Sequence, residues 1–233
     1  MMRKIIGKII DIVLPPVKTV SEAEAETQAT DAPPPKVKTI SLEQLLGGAP
    51  EAAPKEPDLR VIGLYSSVED EKIAELTQAL LYLNEMNRLL PEGEEKKPVE
   101  FYINTYGGSA DDMFALYDVM QTIMEETEIH TIGVGKVMSA GTLLLAAGTK
   151  GKRKIGKNCR VMIHNVAAGN FGTLPNLANE LEAIQRLQED YITAMVENTK
   201  FTRKKLEKLL NEKVNIYLDA EEAVRYGLAD EIM

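Results

Sequence analysis

The stretch "EIHTIGVGKVMSAGTLLLAAGT", residues 128–149, changes character in its middle. Up to Val137 it is rich in β-branched residues and reads as a strand. From Ser139 onward it is rich in leucine and alanine and reads as a helix, with Gly148 near its end. A strand that passes directly into a helix is the building unit of an α/β fold. The rest of the chain repeats the alternation. "LRVIGLY" (59–65) is a short apolar strand, and the segment after it places Ile73, Leu76, Leu80 and Leu83 at helical spacing behind a serine cap and acidic first-turn residues, with Pro91 as its stop. "PVEFYINT" is a strand, "ADDMFALYDVMQTIM" a helix, "CRVMIHN" a strand, and 175–199 one long helix. Two short pieces, "TRKKLEKLLNE" and "DAEEAVRYGLADEIM", complete the chain. The expectation is α/β layers around a mostly parallel sheet, without internal repeats.

The chain has 233 residues, enough for one domain, or one domain and a tail. Hydrophobic residues make up 44% and aromatics 5%, without tryptophan, so the core is aliphatic, with some of the 10 methionines filling gaps. The net charge of −9 argues against nucleic acid as the main partner, because neutralising phosphates needs a basic face. The one dense basic cluster, Lys150, Lys152, Arg153 and Lys154, reads as a solvated turn after a helix. The single cysteine, Cys159, forms no internal disulfide, which suits a reducing compartment.

Residues 1–57 have another character. They hold eight of the eleven prolines, and "SEAEAETQATDAPPPK" is acidic without apolar periodicity, so this part reads as a leader and linker without stable structure. Ile5, Ile6, Ile9, Ile10, Val13 and Leu14 fall on one helical face. That pattern fits a short docking or membrane-surface helix, and equally a removable leader or a frayed end. Only "TISLEQLLGG" (39–48) has the makings of local order. No stretch approaches the roughly 20 apolar residues of a membrane-spanning helix. The folded domain is expected over 58–233.

Ser139 falls where the strand turns into the helix. There a serine serves either as a helix cap or as a nucleophile backed by free backbone N–H groups. A nucleophilic serine needs a base. The chain has two histidines. His130 begins the same strand, about 30 Å from Ser139 at strand rise, and is a poor base. His164 ends the strand "CRVMIH" and comes out at the same sheet edge as Ser139 if the two strands are parallel neighbours. In "NTYGGSA", Gly107 and Gly108 stand at another strand-to-helix turn. It is by default a tight loop, and it is also a place where a backbone N–H can reach a developing oxyanion.

In their order, "RVIGLYSSVEDE", "FYINTYGGS", "ALYDVMQ", "GVGKVMSAGTLLLAAGTKGKR", "CRVMIHN" and "AEEAVRYGLADEI" resemble the proteolytic subunit of the Clp protease. This is a serine peptidase family on the ClpP/crotonase fold, and the likeness covers about 60–233. It implies a stacked, mostly parallel sheet with helices, the long helix 175–199 protruding as the ring-stacking handle. It implies an endopeptidase that hydrolyses unfolded proteins or peptides through an acyl-enzyme. Ser139 falls on the family nucleophile, His164 on its general base, and Gly108 and Ala140 on the oxyanion-hole donors. Two stacked seven-subunit rings of the chain, an AAA+ unfoldase as partner and a cytoplasmic location are implied as well. No cofactor or metal is expected. Because no "GxxxxGK[ST]" loop is present, ATP use belongs to the partner.

The chain departs from the family pattern in three places. Met138 and Ala140 flank Ser139 where the family reads Ala-Ser-Met-Gly, which leaves the backbone donor intact. The axial N-terminal segment is replaced by the proline-rich tail, which puts docking to the usual unfoldase in question. The position of the triad aspartate, just before "AEEAVRYGL", is Asn215, while Asp219 aligns with a non-catalytic position. Asparagine can orient a histidine ring but cannot stabilise its cation with a charge. In a serine protease built around aspartate that exchange costs about 10⁴ in turnover. A weak or conditional peptidase is therefore expected. The alternatives are a non-catalytic ring subunit and a maturation peptidase with a Ser-Lys pair, for which Lys136 is the nearest lysine.

Overall fold

The computed structural model describes residues 58–233; the expected leader and linker, 1–57, lies outside the described residues. Thirteen elements succeed one another: β1 (Val61–Leu64), α1 (Asp70–Arg88), β2 (Val99–Thr105), α2 (Ala110–Ile123), β3 (Ile129–Met138), α3 (Ala140–Ala146), β4 (Lys154–Ile155), β5 (Arg160–Ile163), α4 (Leu174–Asn198), α5 (Arg203–Glu212), β6 (Ile216–Leu218), α6 (Ala220–Tyr226) and β7 (Glu231–Ile232).

The strands form one sheet in the order β1-β2-β3-β4-β7, with β5 pairing β3 further along and β6 pairing β5. All pairings are parallel except β5 with β6, so the fold is mixed α/β with a mostly parallel sheet. β3 is long enough to serve two neighbours. Its first half pairs β4 through Ile132↔Lys154, and its end pairs β5 through Met138↔Met162. This delivers the C-terminal ends of β3 and β5 to one edge, and Ser139 N–H donates to the Met162 carbonyl at 2.8 Å there.

The strand period decides burial. On β2, Val99, Phe101, Ile103 and Thr105 point inward and the residues between them are exposed or half-buried. On α1 the buried residues include Ile73, Leu76, Leu80 and Leu83, the set that the helical spacing predicts. α3 is buried on all sides, which explains why its sequence is apolar throughout. One continuous aliphatic core results. At about 0.8 kcal/mol per buried CH₂, its leucines and isoleucines are the main source of stability.

Three details differ from the sequence reading. The residue capping α1 is Glu69, without a side-chain cap bond, rather than a serine. β4, β6 and β7 are too short to carry a periodic signal, being two or three residues each. The basic cluster is only partly a solvated turn. Arg153 is 3% exposed, pairs with Asp230 at 2.5 Å, and donates to the carbonyls of Ala146 and Asn198. Lys150 caps the end of α4 by donating to the Asn198 carbonyl. Burial, with the Arg153 charge beside it, pushes the Lys150 ammonium down to about 8, against a smaller upward pull from Asp230.

α4 divides into halves. Tyr191, Ile192, Ala194, Met195 and Asn198 are buried against the body. The first half is exposed, and with the segment before it presents Phe171 (97% exposed), Leu174 (81%) and Leu181 (56%). Among the described residues, no helix is long and apolar enough to cross a membrane.

Candidate active site

Ser139 is the residue before α3, where a helix cap belongs, yet its side chain makes no cap hydrogen bond. The hydroxyl instead meets His164: Oγ and Nε2 are 2.7 Å apart. The hydroxyl is thus engaged with a histidine and not as a helix cap. The backbone is unusual too. Ser139 has φ 53° and ψ −124°, and it is the one non-glycine residue at positive φ among the described residues. Such a conformation costs on the order of 1–3 kcal/mol and persists only where neighbours hold it. Thr142 holds it by donating to the Ser139 carbonyl twice, from its N–H at 2.9 Å and from its hydroxyl at 2.7 Å. With its proton committed there, the Thr142 hydroxyl accepts from the Tyr191 phenol at 3.0 Å. Burial pushes that phenol up to about 12, outweighing the opposing bond to Thr142, so it stays a donor over the working pH range.

The glycine turn reaches the same place. Gly107 has φ 97°, and a Cβ there would lie 2.5 Å from the Ser139 Cβ and 3.0 Å from the Ala140 nitrogen. At Gly108, φ is 157° and a Cβ would lie 2.2 Å from the Val68 carbonyl oxygen. Neither position admits a side chain. The bridge to Val68 uses the Gly107 carbonyl and the Ser109 N–H. Among the described residues the N–H groups of Gly108 and Ala140 find no acceptor. A cleft of about 360 Å³ opens over this group. Gly108, Ser139, Ala140 and His164 line it, with apolar walls from Met113, Ile184 and Leu187.

Asn215 stands elsewhere in the pattern. β5 and β6 pair antiparallel up to Ile163↔Ile216, and His164 and Asn215 are the residues that adjoin this last pair. Asn215 is exposed, however, and makes no side-chain hydrogen bond among the described residues. The His164 Nδ1 has no partner among them either. Asp219 is committed to α6: it caps the helix in a reciprocal box with Glu222. His130 pairs with Glu128 at 2.8 Å near the far end of β3, and the His130 hydrogen bond in turn holds the Glu128 carboxyl below its ordinary value. Lys136 bonds Asn104 at 3.0 Å and covers the Tyr106 ring at 4.4 Å, so it is engaged away from Ser139.

Tyr191 and Gln188, which bonds the loop after His164, lie in no motif, and Thr142 lies in one that does not mark its role. Tyr191 and Thr142 are 49 residues apart, and only the fold joins them.

The family model described as Clp protease matches residues 57–233. The chain is 33% identical over 174 residues to the ATP-dependent Clp protease proteolytic subunit of Deinococcus radiodurans, covering 75% of this chain and 80% of that protein. With a match over three quarters of its length, on a ClpP/crotonase-like mixed α/β fold, the chain belongs to the Clp protease family, a family of peptidase hydrolases.

Proposed function

We propose that the chain is a serine endopeptidase acting on peptide bonds of unfolded proteins or peptides. The observation that carries this reading is the 2.7 Å contact of Ser139 Oγ with His164 Nε2, beside two backbone N–H groups without acceptors among the described residues. The atoms dictate the steps. His164 in its Nδ1–H form accepts the Ser139 hydroxyl proton at Nε2 as Oγ bonds to the substrate carbonyl carbon. The carbonyl oxygen becomes an oxyanion held by the N–H groups of Gly108 and Ala140. The imidazolium then gives its proton to the leaving amine as the C–N bond breaks, and an acyl-serine remains. Water, deprotonated by the same nitrogen, releases the acid and restores the hydroxyl. The imidazolium stage is the weak point, because Asn215 brings no charge to it.

Assembly into stacked seven-membered rings fed by an AAA+ unfoldase belongs to the same reading. The exposed Phe171, just before α4, and Leu174, Leu177 and Leu181 on its exposed first half support it, since such an apolar stripe fits a surface covered by another copy. The test is labelling with a fluorophosphonate probe and cleavage of a short fluorogenic peptide by the protein and by Ser139→Ala, with native mass spectrometry of both. Labelling and cleavage are expected from the first alone, with rings from both. An unlabelled protein that still forms rings would overturn the peptidase reading. It would favour a ring subunit without turnover, a reading that the His164 Nδ1, without a partner among the described residues, also supports.

A further inference from the structure

His164 sits one residue beyond the last ladder pair of β5, so the sheet does not fix the residues after it. The segment 165–170 makes two hydrogen bonds to the rest of the fold among the described residues. One is from the Asn165 side chain to the Leu210 carbonyl at 3.1 Å, and the other from the Val166 N–H to Gln188 Oε1 at 2.7 Å. Gln188 is half-buried on α4, one turn before Tyr191. The same helix therefore holds both members of the pair, the Ser139 backbone through Tyr191 and Thr142, and the residues after His164 through Gln188.

The Gln188 side chain is a costly way to fill its space. Its Nε2 is buried without a hydrogen-bond partner among the described residues. A buried amide N–H without an acceptor is unfavourable, and methionine, of similar length, would fill the position without one. What glutamine brings and methionine lacks is the acceptor for Val166. We propose that Gln188 is a positioning residue for His164: through the Val166 backbone it fixes the imidazole against Ser139. This rests on the peptidase reading.

The role separates from simple packing. Val166, Ala167 and Ala168 also line the cleft, so a residue that only shaped the wall would change KM. One that aims the imidazole changes the rate of Ser139 attack instead. Gln188→Met removes the acceptor and the orphan donor together; Gln188→Glu keeps an acceptor on an equally long side chain. Fluorophosphonate labelling rate, kcat and KM on a short peptide, and the thermal midpoint are measured for the native protein, both variants and Ser139→Ala. For Gln188→Met the expected result is an unchanged or raised midpoint, KM within about twofold, and labelling and kcat lowered about tenfold, a decade short of the hundredfold cost of a 1 Å misplacement. Gln188→Glu is expected to recover most of the labelling rate. Native labelling matched by Gln188→Met, or no recovery in Gln188→Glu, would overturn the proposal alone. A native protein that labels no better than Ser139→Ala overturns the peptidase reading, and this proposal with it.

Discussion

Gly107 and Ser139 are packed so closely that a Cβ on the glycine would sit 2.5 Å from the Ser139 Cβ. Two turns from different strands thus meet at the serine, and neither can move without the other. Gly107→Ala should therefore act twice. The alanine is forced into a φ of 97°, and its methyl pushes on the residue that carries the hydroxyl. A loss of about 1–3 kcal/mol in stability is expected, with labelling of Ser139 falling more steeply than stability. Denaturant midpoints and labelling rates compared on the same preparation check this; an alanine variant that labels normally would show that the turn is not coupled to the serine.

The Thr142 hydroxyl gives an ordered pair of effects. Thr142→Val removes one of two donors to the Ser139 carbonyl and strands the Tyr191 phenol in a buried place. Tyr191→Phe leaves Thr142 on Ser139 and removes only the outer bond. Thr142→Val should cost about 1–3 kcal/mol, Tyr191→Phe closer to 1, and the double variant less than their sum, since the bonds share one hydroxyl. Because the phenol is held as a donor by its burial, the order should hold from pH 6 to 9. Equal or additive losses would mean that the chain of bonds is not a unit.

The α/β class is legible because 128–149 shows its change of period within one segment, and because the buried faces of α1 and β2 keep helical and strand spacing. Ser139 and His164 are legible as ends of strands. Their meeting depends on β3 extending past β4 to pair β5, which is a matter of sheet order and leaves no trace in composition. Gln188 and Tyr191 are not legible, since on a helix of alternating polar and apolar residues a glutamine or tyrosine has no local mark of what it touches. Arg153 misleads for the opposite reason. Its lysine neighbours suggest solvent, whereas its partner Asp230 lies 77 residues away.

The Arg153–Asp230 pair sets an acid limit on stability. Burial alone would raise the Asp230 carboxyl, but hydrogen bonds from the Arg153 side chain and from the Arg153 and Gly151 N–H groups outweigh it and hold the carboxyl below its ordinary value of 3.8. A carboxyl depressed in the folded state stabilises fully above its unfolded value and loses that contribution as pH falls through the folded one. Lys150 has the reverse effect at the other end. Its ammonium is depressed to about 8 from 10.5, so the unfolded chain binds more protons in that window and this group's cost is relieved as pH rises through it. Asp230→Asn should flatten the acid limb and, by leaving the buried Arg153 without its carboxylate, cost about 3 kcal/mol at neutral pH. Urea midpoints from pH 3 to 10 on both proteins test both limbs; an acid limb unchanged in Asp230→Asn would remove the pair as its source.

Asn215 and Asp219 offer two candidates for a partner to His164 Nδ1, and their surroundings separate them. Asp219 already accepts the Glu222 N–H at 2.8 Å and closes the capping box of α6. Asp219→Ala should therefore lower stability by about 1 kcal/mol and leave turnover within about twofold. Asn215 and His164 both adjoin the last pair of the β5–β6 ladder, and Asn215 has no competing bond among the described residues, so a carboxylate there is free to turn toward Nδ1. Asn215→Asp adds no volume. It should raise kcat by at least about tenfold, part of the 10⁴ that separates aspartate from asparagine in sites built for the acid. The gain comes from the imidazolium that forms as Ser139 attacks, so it should appear in kcat more than in KM. Asn215→Ala should lower whatever activity the native protein has, by leaving the ring without an orienting neighbour. Turnover of the three variants on one peptide decides the matter. If Asp219→Ala is the damaging change and Asn215→Asp does nothing, the loop before α6 rearranges in the working enzyme and Asp219 leaves its cap to reach the histidine.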